Sequence, residues 1–326
     1  MASTKLILIG LIGTLAAGAA VGFATGQPKT TETHGVVWYD SFGDARTVAE
    51  KSGKPILLLS MFGKLDEKMP CTNARTLRAT LFKDAEFKKL LSEDVVGAWE
   101  MVRAVPKIKI DLGDGKPITR TVRGNAVMYL CNSDGKVVDA FPGVYTAKDF
   151  IPMIRESLDK LATADTSAVL DYHTKRGIYV QPARMTFGKT VAESPTLDLI
   201  GSRDSRGKST PIEGAKNPKE RLFLQAASGL RDFSLTPMSS GEALLTLTGQ
   251  PTPLGDPNQT AQEIIALDSQ NNIHTVRPVV HLYFATLDSL PTPAQARDAI
   301  LETILKIPYK DPYFGLKDVV MPGTVD

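Results

Sequence analysis

The chain is poor in the residues that build covalent or metal-held scaffolds. It has two cysteines and four histidines in 326 residues. Two cysteines cannot form a disulfide framework, and the histidines, at positions 34, 173, 274 and 281, do not have the spacing of zinc ligands. The sequence therefore predicts no metal site and no cofactor.

Strong charge of either sign is also missing. The formal net charge is +2, and no run of lysine and arginine is interleaved with aromatic residues, so nucleic acid is excluded as an expected partner. The composition, 42% apolar and 23% charged, is that of a globular protein. The length is sufficient for two ordinary domains with hydrophobic cores.

The first 26 residues contain the longest uncharged stretch. Lys5 precedes the uncharged segment 6–26, which is about as long as a helix that crosses a bilayer. Small residues recur in it at every fourth position, which favours close helix packing in lipid: Gly10, Thr14, Gly18, Gly22 and Gly26. One interpretation is a single-pass transmembrane helix, followed by a polar linker at 27–35.

The other interpretation is a cleaved signal peptide. Ala17-Gly18-Ala19 forms a small-x-small cleavage motif after an apolar core. The positive start places the N-terminus in the cytoplasm and the body outside it. We therefore expect a protein of the cytoplasmic membrane with periplasmic domains or, after cleavage, a soluble periplasmic or secreted protein.

The segment 36–162 has the pattern of an α/β domain. Apolar runs predict strands at 56–61, 95–102, 126–131 and 136–141. The first run does not alternate, which is typical of a strand covered on both faces. Helices are predicted at 44–52, 72–81, 84–91 and 147–162, and Asp134-Gly135 marks a hairpin turn.

Local sequences in this segment resemble the thioredoxin-like family of secreted and membrane-anchored bacterial proteins. They are W-Y-D-S-F from Trp38, F-K-D-A-E-F from Phe82 and D-G-K-V-V-D-A-F-P-G from Asp134. The resemblance covers about residues 36–162. It implies a thioredoxin fold with a reactive cysteine at a helix start, and Cys71 occupies that position.

Two departures imply that the active site is degenerate. The family motif is C-x-x-C, in which the second thiol resolves the mixed disulfide, and the second position here is Ala74. The family also has a cis-proline directly before the third strand, where this chain has Ala126. Cys131 lies about 16 Å along that strand from Ala126, at ~3.3 Å per residue, too far to replace the missing thiol.

Residues 163–326 are predicted to form a mainly helical α+β domain of unrecognised type that binds a partner. Helices are expected at 166–176, 219–230, 240–248, 260–267 and 293–306, with a long loop at 201–218. Polar residues concentrate at Asp268, His274, Arg277 and His281, which form a candidate ligand or partner site. The alternative for His281 is a buried structural histidine. The aromatic strip Tyr309, Tyr313, Phe314 suits packing onto the domain or docking on a partner.

These features lead to one main hypothesis of function and two others. The main one is a redox-inactive thioredoxin-like accessory subunit, anchored in the membrane and bound to a larger membrane assembly such as an electron-transfer or photosynthetic complex. The alternative is a periplasmic monothiol oxidoreductase with Cys71 as its nucleophile. A third is a hydrolase or ligand binder built around Asp268, Arg277 and His281.

Overall fold

A mixed six-stranded sheet forms the centre of the protein in a computed structural model, which describes residues 28–111, 113–177, 215–230 and 257–317. The strands are β1 Thr30–Thr33, β2 Val36–Tyr39, β3 Ile56–Phe62, β4 Val96–Arg103, β5 Lys107–Ile110, β6 Ile118–Thr121, β7 Ala126–Cys131 and β8 Val137–Pro142. In the six-stranded sheet their order is β1, β2, β4, β3, β7 and β8. The strands β2, β4 and β3 are parallel, and β1, β7 and β8 run antiparallel to their neighbours. The strands β5 and β6 form a separate hairpin.

The strand β3 is the core of the sheet, as its unbroken apolar run predicts. All seven of its residues are buried. It pairs with β7 so that Ile56 lies opposite Cys131 and Met61 opposite Ala126. Loops that follow β3 and precede β7 therefore meet at one edge of the sheet.

Four helices within 36–162 lie close to their predicted positions. They are α1 Phe42–Ser52, α2 Thr72–Ala79, α3 Ala85–Lys89 and α4 Ala147–Leu161. Three of them begin at a side chain that accepts backbone hydrogen bonds: Ser41, Asp84 and Thr146. Such N-caps satisfy amides that have no partner inside the helix. The helix starts follow from these local residues.

The described residues after 162 contain helices and turns and no strand. The helices are α5 Thr166–Gly177, α6 Pro218–Ser228, α7 Pro257–Asn271, α8 Arg277–Ala285 and α9 Pro293–Asp298. Their apolar side chains join those of the sheet in one buried cluster. The predicted helix at 240–248 and most of the predicted loop at 201–218 lie outside the described residues.

The strand β1 corrects the predicted linker at 27–35. Residues 30–33 pair with β2 through a two-residue turn in which His34 has φ 54° and Gly35 φ 78°. Two successive left-handed residues match the twist of a tight hairpin. The polar sequence of β1 concealed the strand because an edge strand does not need to bury its side chains.

The prediction of a single-pass transmembrane helix is wrong for the part of the chain that the structure describes. None of the described helices combines the length and the apolar surface needed to cross a membrane. The long helical stretch 257–285 carries Glu263, Asp268 and Arg277. The predicted span 6–26, with Gly10, Thr14, Gly18, Gly22 and Gly26, lies outside the described residues, and we drop the membrane assignment.

Candidate functional site

Cys71 lies at the N-terminus of α2, where the resemblance places it. Its side chain is fully buried. The Sγ atom donates to the carbonyl oxygen of Asn125 at 3.3 Å, and the backbone N–H donates to the carbonyl oxygen of Phe62 at 3.0 Å. The thiol therefore sits between the end of β3 and the loop before β7.

Burial suppresses the reactivity of this thiol. It raises the pKa of Cys71 above the ordinary value of a cysteine thiol, although nearby backbone amides and the charge of Arg75 act in the opposite direction. The reactive form of cysteine is the thiolate, so a raised pKa and a lack of solvent access both oppose nucleophilic chemistry. Cys131 is also buried and free, and burial raises its pKa as well.

The loop before β7 closes over Cys71. The side chain of Asn73 donates to Asn125 Oδ1 at 2.5 Å. Gly124 has φ +95°, and a Cβ atom there would lie 3.0 Å from the Cβ atom of Cys71 and 3.2 Å from that of Phe62. The close approach of Gly124 to Cys71 and Phe62 needs glycine, because a side chain there would meet the wall of the thiol site. No peptide bond in the described residues is cis.

A second candidate site is a buried polar cluster between the sheet and the C-terminal helices. Asp139 of β8 is fully buried and accepts from Arg277 of α8 through Nη1 at 2.6 Å and Nη2 at 3.0 Å. Ser157 Oγ donates to the same carboxylate at 2.6 Å, as does the backbone N–H of Ala140 at 2.8 Å. Four donors thus saturate this carboxylate.

Asp139 and Arg277 form a charged pair at neutral pH. Burial alone would raise the pKa of Asp139, but the charge and the hydrogen bonds of Arg277 lower it well below its ordinary value. Burial would lower the pKa of Arg277, and Asp139 raises it instead. The carboxylate depends on Arg277 for its charge, and loss of either partner would leave a buried charge without compensation, so the pair links β8 to α8.

His173 of α5 and His281 of α8 form a neutral pair beside these charges. His173 Nε2 lies 2.8 Å from the carbonyl oxygen of Val138, so it must donate. The two Nδ1 atoms are 2.7 Å apart, so His173 accepts there and His281 donates. Burial lowers the pKa of both histidines, and the charge of Arg277 lowers that of His281 further. This assignment leaves His281 Nε2 as a hydrogen-bond acceptor.

A cavity of about 480 Å³ adjoins the cluster, and Arg277 and His281 are among its lining residues. Tyr172 and Arg176 line the same cavity, with the guanidinium of Arg176 4.7 Å from the centre of the Tyr172 ring. Arg176 also pairs with Glu156. The cavity wall therefore presents one neutral histidine and charges that already have partners.

Asp139, His173 and His281 meet the distance requirement of a metal site but not its chemistry. Their candidate ligand atoms all lie within 4.8 Å of one another. The carboxylate is saturated by donors, two of them from the guanidinium of Arg277, and His173 Nε2 donates to a carbonyl. A metal would need free lone pairs in these positions, so the residues fit a hydrogen-bonded network.

Of the predicted site residues, Arg277 and His281 line the same cavity. Asp268 lies on α7, and His274 Nε2 lies 3.1 Å from Gln270 Oε1. Asp139 and His173 are site residues that the sequence does not predict. A single aspartate in the apolar strand V-V-D-A-F was the available signal, because a buried carboxylate requires a partner.

The comparisons with known proteins identify no relative: no protein-family model, no curated protein and no solved structure matches this chain.

Proposed function

We propose that this chain is a redox-inactive, thioredoxin-like accessory protein that acts by binding within a larger assembly. The observation that carries the proposal is the complete burial of Cys71 at a helix start that has no second thiol. Ala74 occupies the resolving position, and Cys131 pairs with Ile56 at the opposite end of β3. The residue that would attack a disulfide has neither access nor a resolving partner.

The course of the chain supports the thioredoxin-like part of this proposal. Five strands run in the order β2, β4, β3, β7, β8, with the first three parallel and the last two antiparallel. Cys71 begins the helix that follows the central strand. These features agree with what the resemblance implies.

The site geometry disfavours the two enzymatic hypotheses. A monothiol oxidoreductase needs an accessible thiolate, and Cys71 is buried with a raised pKa. A hydrolase at Arg277 and His281 needs a base and an electrostatic stabiliser that are free to act on a substrate. The carboxylate of Asp139 neutralises Arg277, and one nitrogen of His281 is committed to His173.

A turnover assay tests the absence of thiol chemistry. The full-length chain is incubated with a disulfide-containing protein and a thiol reductant, with an active dithiol oxidoreductase as the reference enzyme. We expect no reduction above the rate of the reductant alone, and the same result for Cys71→Ser. Turnover that is lost in Cys71→Ser would overturn the proposal.

A second experiment tests the binding role. Native mass spectrometry of the protein extracted gently from its source should show it in a stoichiometric complex with other chains. Recovery of the chain only as a free monomer, under conditions that preserve other complexes, would contradict the accessory role.

A further inference from the structure

The segment 307–317, the tail segment, lies across the ends of β3 and β4. Phe314 is fully buried, and its ring centre lies 5.1 Å from that of Phe62, the last residue of β3. Arg103, the last residue of β4, places its guanidinium 5.0 Å from the centre of the Phe314 ring. One aromatic side chain thus anchors the tail segment between two strand ends.

Arg103 also binds the backbone of the tail segment. Its Nη1 atom donates to the carbonyl oxygens of Tyr309 at 2.8 Å and Asp311 at 2.7 Å, and Nη2 donates to that of Pro312 at 3.2 Å. A planar guanidinium presents several donors in a fixed arrangement. Because the contacted groups are carbonyls, Arg103 recognises the course of a peptide backbone rather than particular side chains.

The tail segment reaches the wall that encloses Cys71. A Cβ atom on Gly315 would lie 3.1 Å from Nη1 of Arg123, the residue before Gly124. Gly124 packs against both Cys71 and Phe62, and Phe62 carries the ring that contacts Phe314. The tail segment therefore covers, from outside, the residues that shield the thiol.

The tail segment is held as a short peptide is held by a binding protein. Its backbone hydrogen bonds close local turns, such as that from Phe314 to Asp311, and do not extend the sheet. Lys306 and Phe314 have positive φ values of 56° and 58°, which is unfavourable for residues other than glycine. Tyr313 is 51% exposed. Ile307 is buried, and Tyr309 donates to Asp298 of α9, so the first part of the segment is fixed to the neighbouring helix. The attachment of its second part to the ends of β3 and β4 rests on Phe314 and the carbonyl contacts of Arg103.

We propose that the tail segment is an intramolecular peptide ligand that covers a peptide-binding edge beside Cys71 and opens locally while the rest of the protein stays folded. The edge is formed by Phe62, Arg103 and Arg123. A partner polypeptide that offers an aromatic side chain and successive free carbonyls would compete with it. This proposal rests on the proposed function and extends it, because an edge covered by the tail segment explains why the Cys71 thiol is unreactive.

The two cysteines provide the test, since each reports a different kind of opening. Cys71 lies behind the tail segment, whereas Cys131 is buried at the far end of β7, and we expect Cys131 to react only on global unfolding. Both are alkylated in the native full-length chain, and each rate is read by peptide mass spectrometry. In Phe314→Ala we expect Cys71 to react at least about tenfold faster, the effect of ~1.4 kcal/mol of lost local stability, with Cys131 unchanged.

Matched variants distinguish local opening of the tail segment from a general loss of stability. Tyr313→Ala removes the neighbouring exposed ring and should leave both rates unchanged. Arg103→Gln removes the carbonyl contacts and should also accelerate Cys71 alone, which keeps the test valid if Phe314→Ala does not fold. Equal acceleration of both cysteines, or a folded variant with no change at Cys71, would overturn the proposal.

A peptide provides the complementary experiment. A synthetic peptide of residues 306–317 added to Phe314→Ala should restore protection of Cys71, and the same peptide with the Phe314→Ala change should not. Failure of the unmodified peptide at millimolar concentration would count against the edge as a peptide site. The turnover assay is interpreted separately. The alkylation rates of the variants test whether the tail segment covers Cys71, and disulfide turnover by the wild-type chain tests the proposed function.

Discussion

Removal of the guanidinium from Arg277 should destabilise the protein severely. The variant Arg277→Met keeps the length of the side chain but leaves the Asp139 carboxylate fully buried with only Ser157 and the Ala140 amide as donors. Breaking a buried ion pair by removing one partner costs about 3–5 kcal/mol. This is a large share of the roughly 5–15 kcal/mol that keeps a typical domain folded.

The double variant Asp139→Leu, Arg277→Met is the informative comparison. It removes both charges, so neither group is left buried without a partner. Apolar replacement of a complete buried pair is often close to neutral, and we expect the double variant to be more stable than Arg277→Met alone. Urea unfolding followed by circular dichroism at pH 7 gives the free energy of unfolding for each member of the cycle.

A solvent-exposed pair serves as the control. Arg176 pairs with Glu156 with side-chain exposures of 43% and 30%, and Arg176→Met should cost no more than about 1 kcal/mol. If Arg277→Met cost as little, the reasoning would be refuted, because β8 and α8 would then not be joined by a desolvated pair.

Two further predictions concern the histidine pair and the loop over Cys71. Burial lowers the pKa of His173 and His281 from the ordinary value of a histidine. As pH falls, the histidines of the unfolded chain therefore bind protons before those of the folded chain. The free energy of unfolding should fall as pH drops below about 6.5, by up to ~1.4 kcal/mol per pH unit for each histidine. Urea unfolding at pH 7.5, 6 and 5 should show this slope, reduced in His281→Gln; equal stabilities would contradict it. Gly124→Ala should cost about 1–3 kcal/mol, since φ is +95° and the new Cβ atom would crowd Cys71. Gly229→Ala, whose nearest neighbour is at 3.5 Å, should change stability by less than ~1 kcal/mol, and similar losses in both would contradict the loop geometry.

The sequence predicts elements whose signals are local. The apolar run of β3 and the caps at Ser41 and Thr146 lie next to the structures that they produce. β1 escaped prediction because its residues are polar and its only cue was the turn at His34-Gly35. A short, polar edge strand has no hydrophobic pattern to detect.

The candidate sites depend on contacts that are distant in the chain. Asp139 and Arg277 are 138 positions apart, and no local pattern joins them. The sequence predicts Arg277 and His281 because polar and ionisable residues concentrate at 268–281. His274 in the same stretch is bonded to Gln270 instead. Spacing along one helix identifies residues that share a face, whereas the partner from β8 is supplied only by the fold.

The central claim is that Cys71 does not act as a nucleophile, and the pH dependence of its alkylation tests this most directly. In the native chain we expect slow labelling of Cys71 at pH 7, with a rate that rises only at a higher pH than for the unfolded chain, because burial raises the pKa of this thiol above its ordinary value. Unfolding in urea should make both cysteines react rapidly. Fast labelling of native Cys71 at pH 7, with a midpoint below that of the unfolded chain, would contradict this expectation and identify an active thiol.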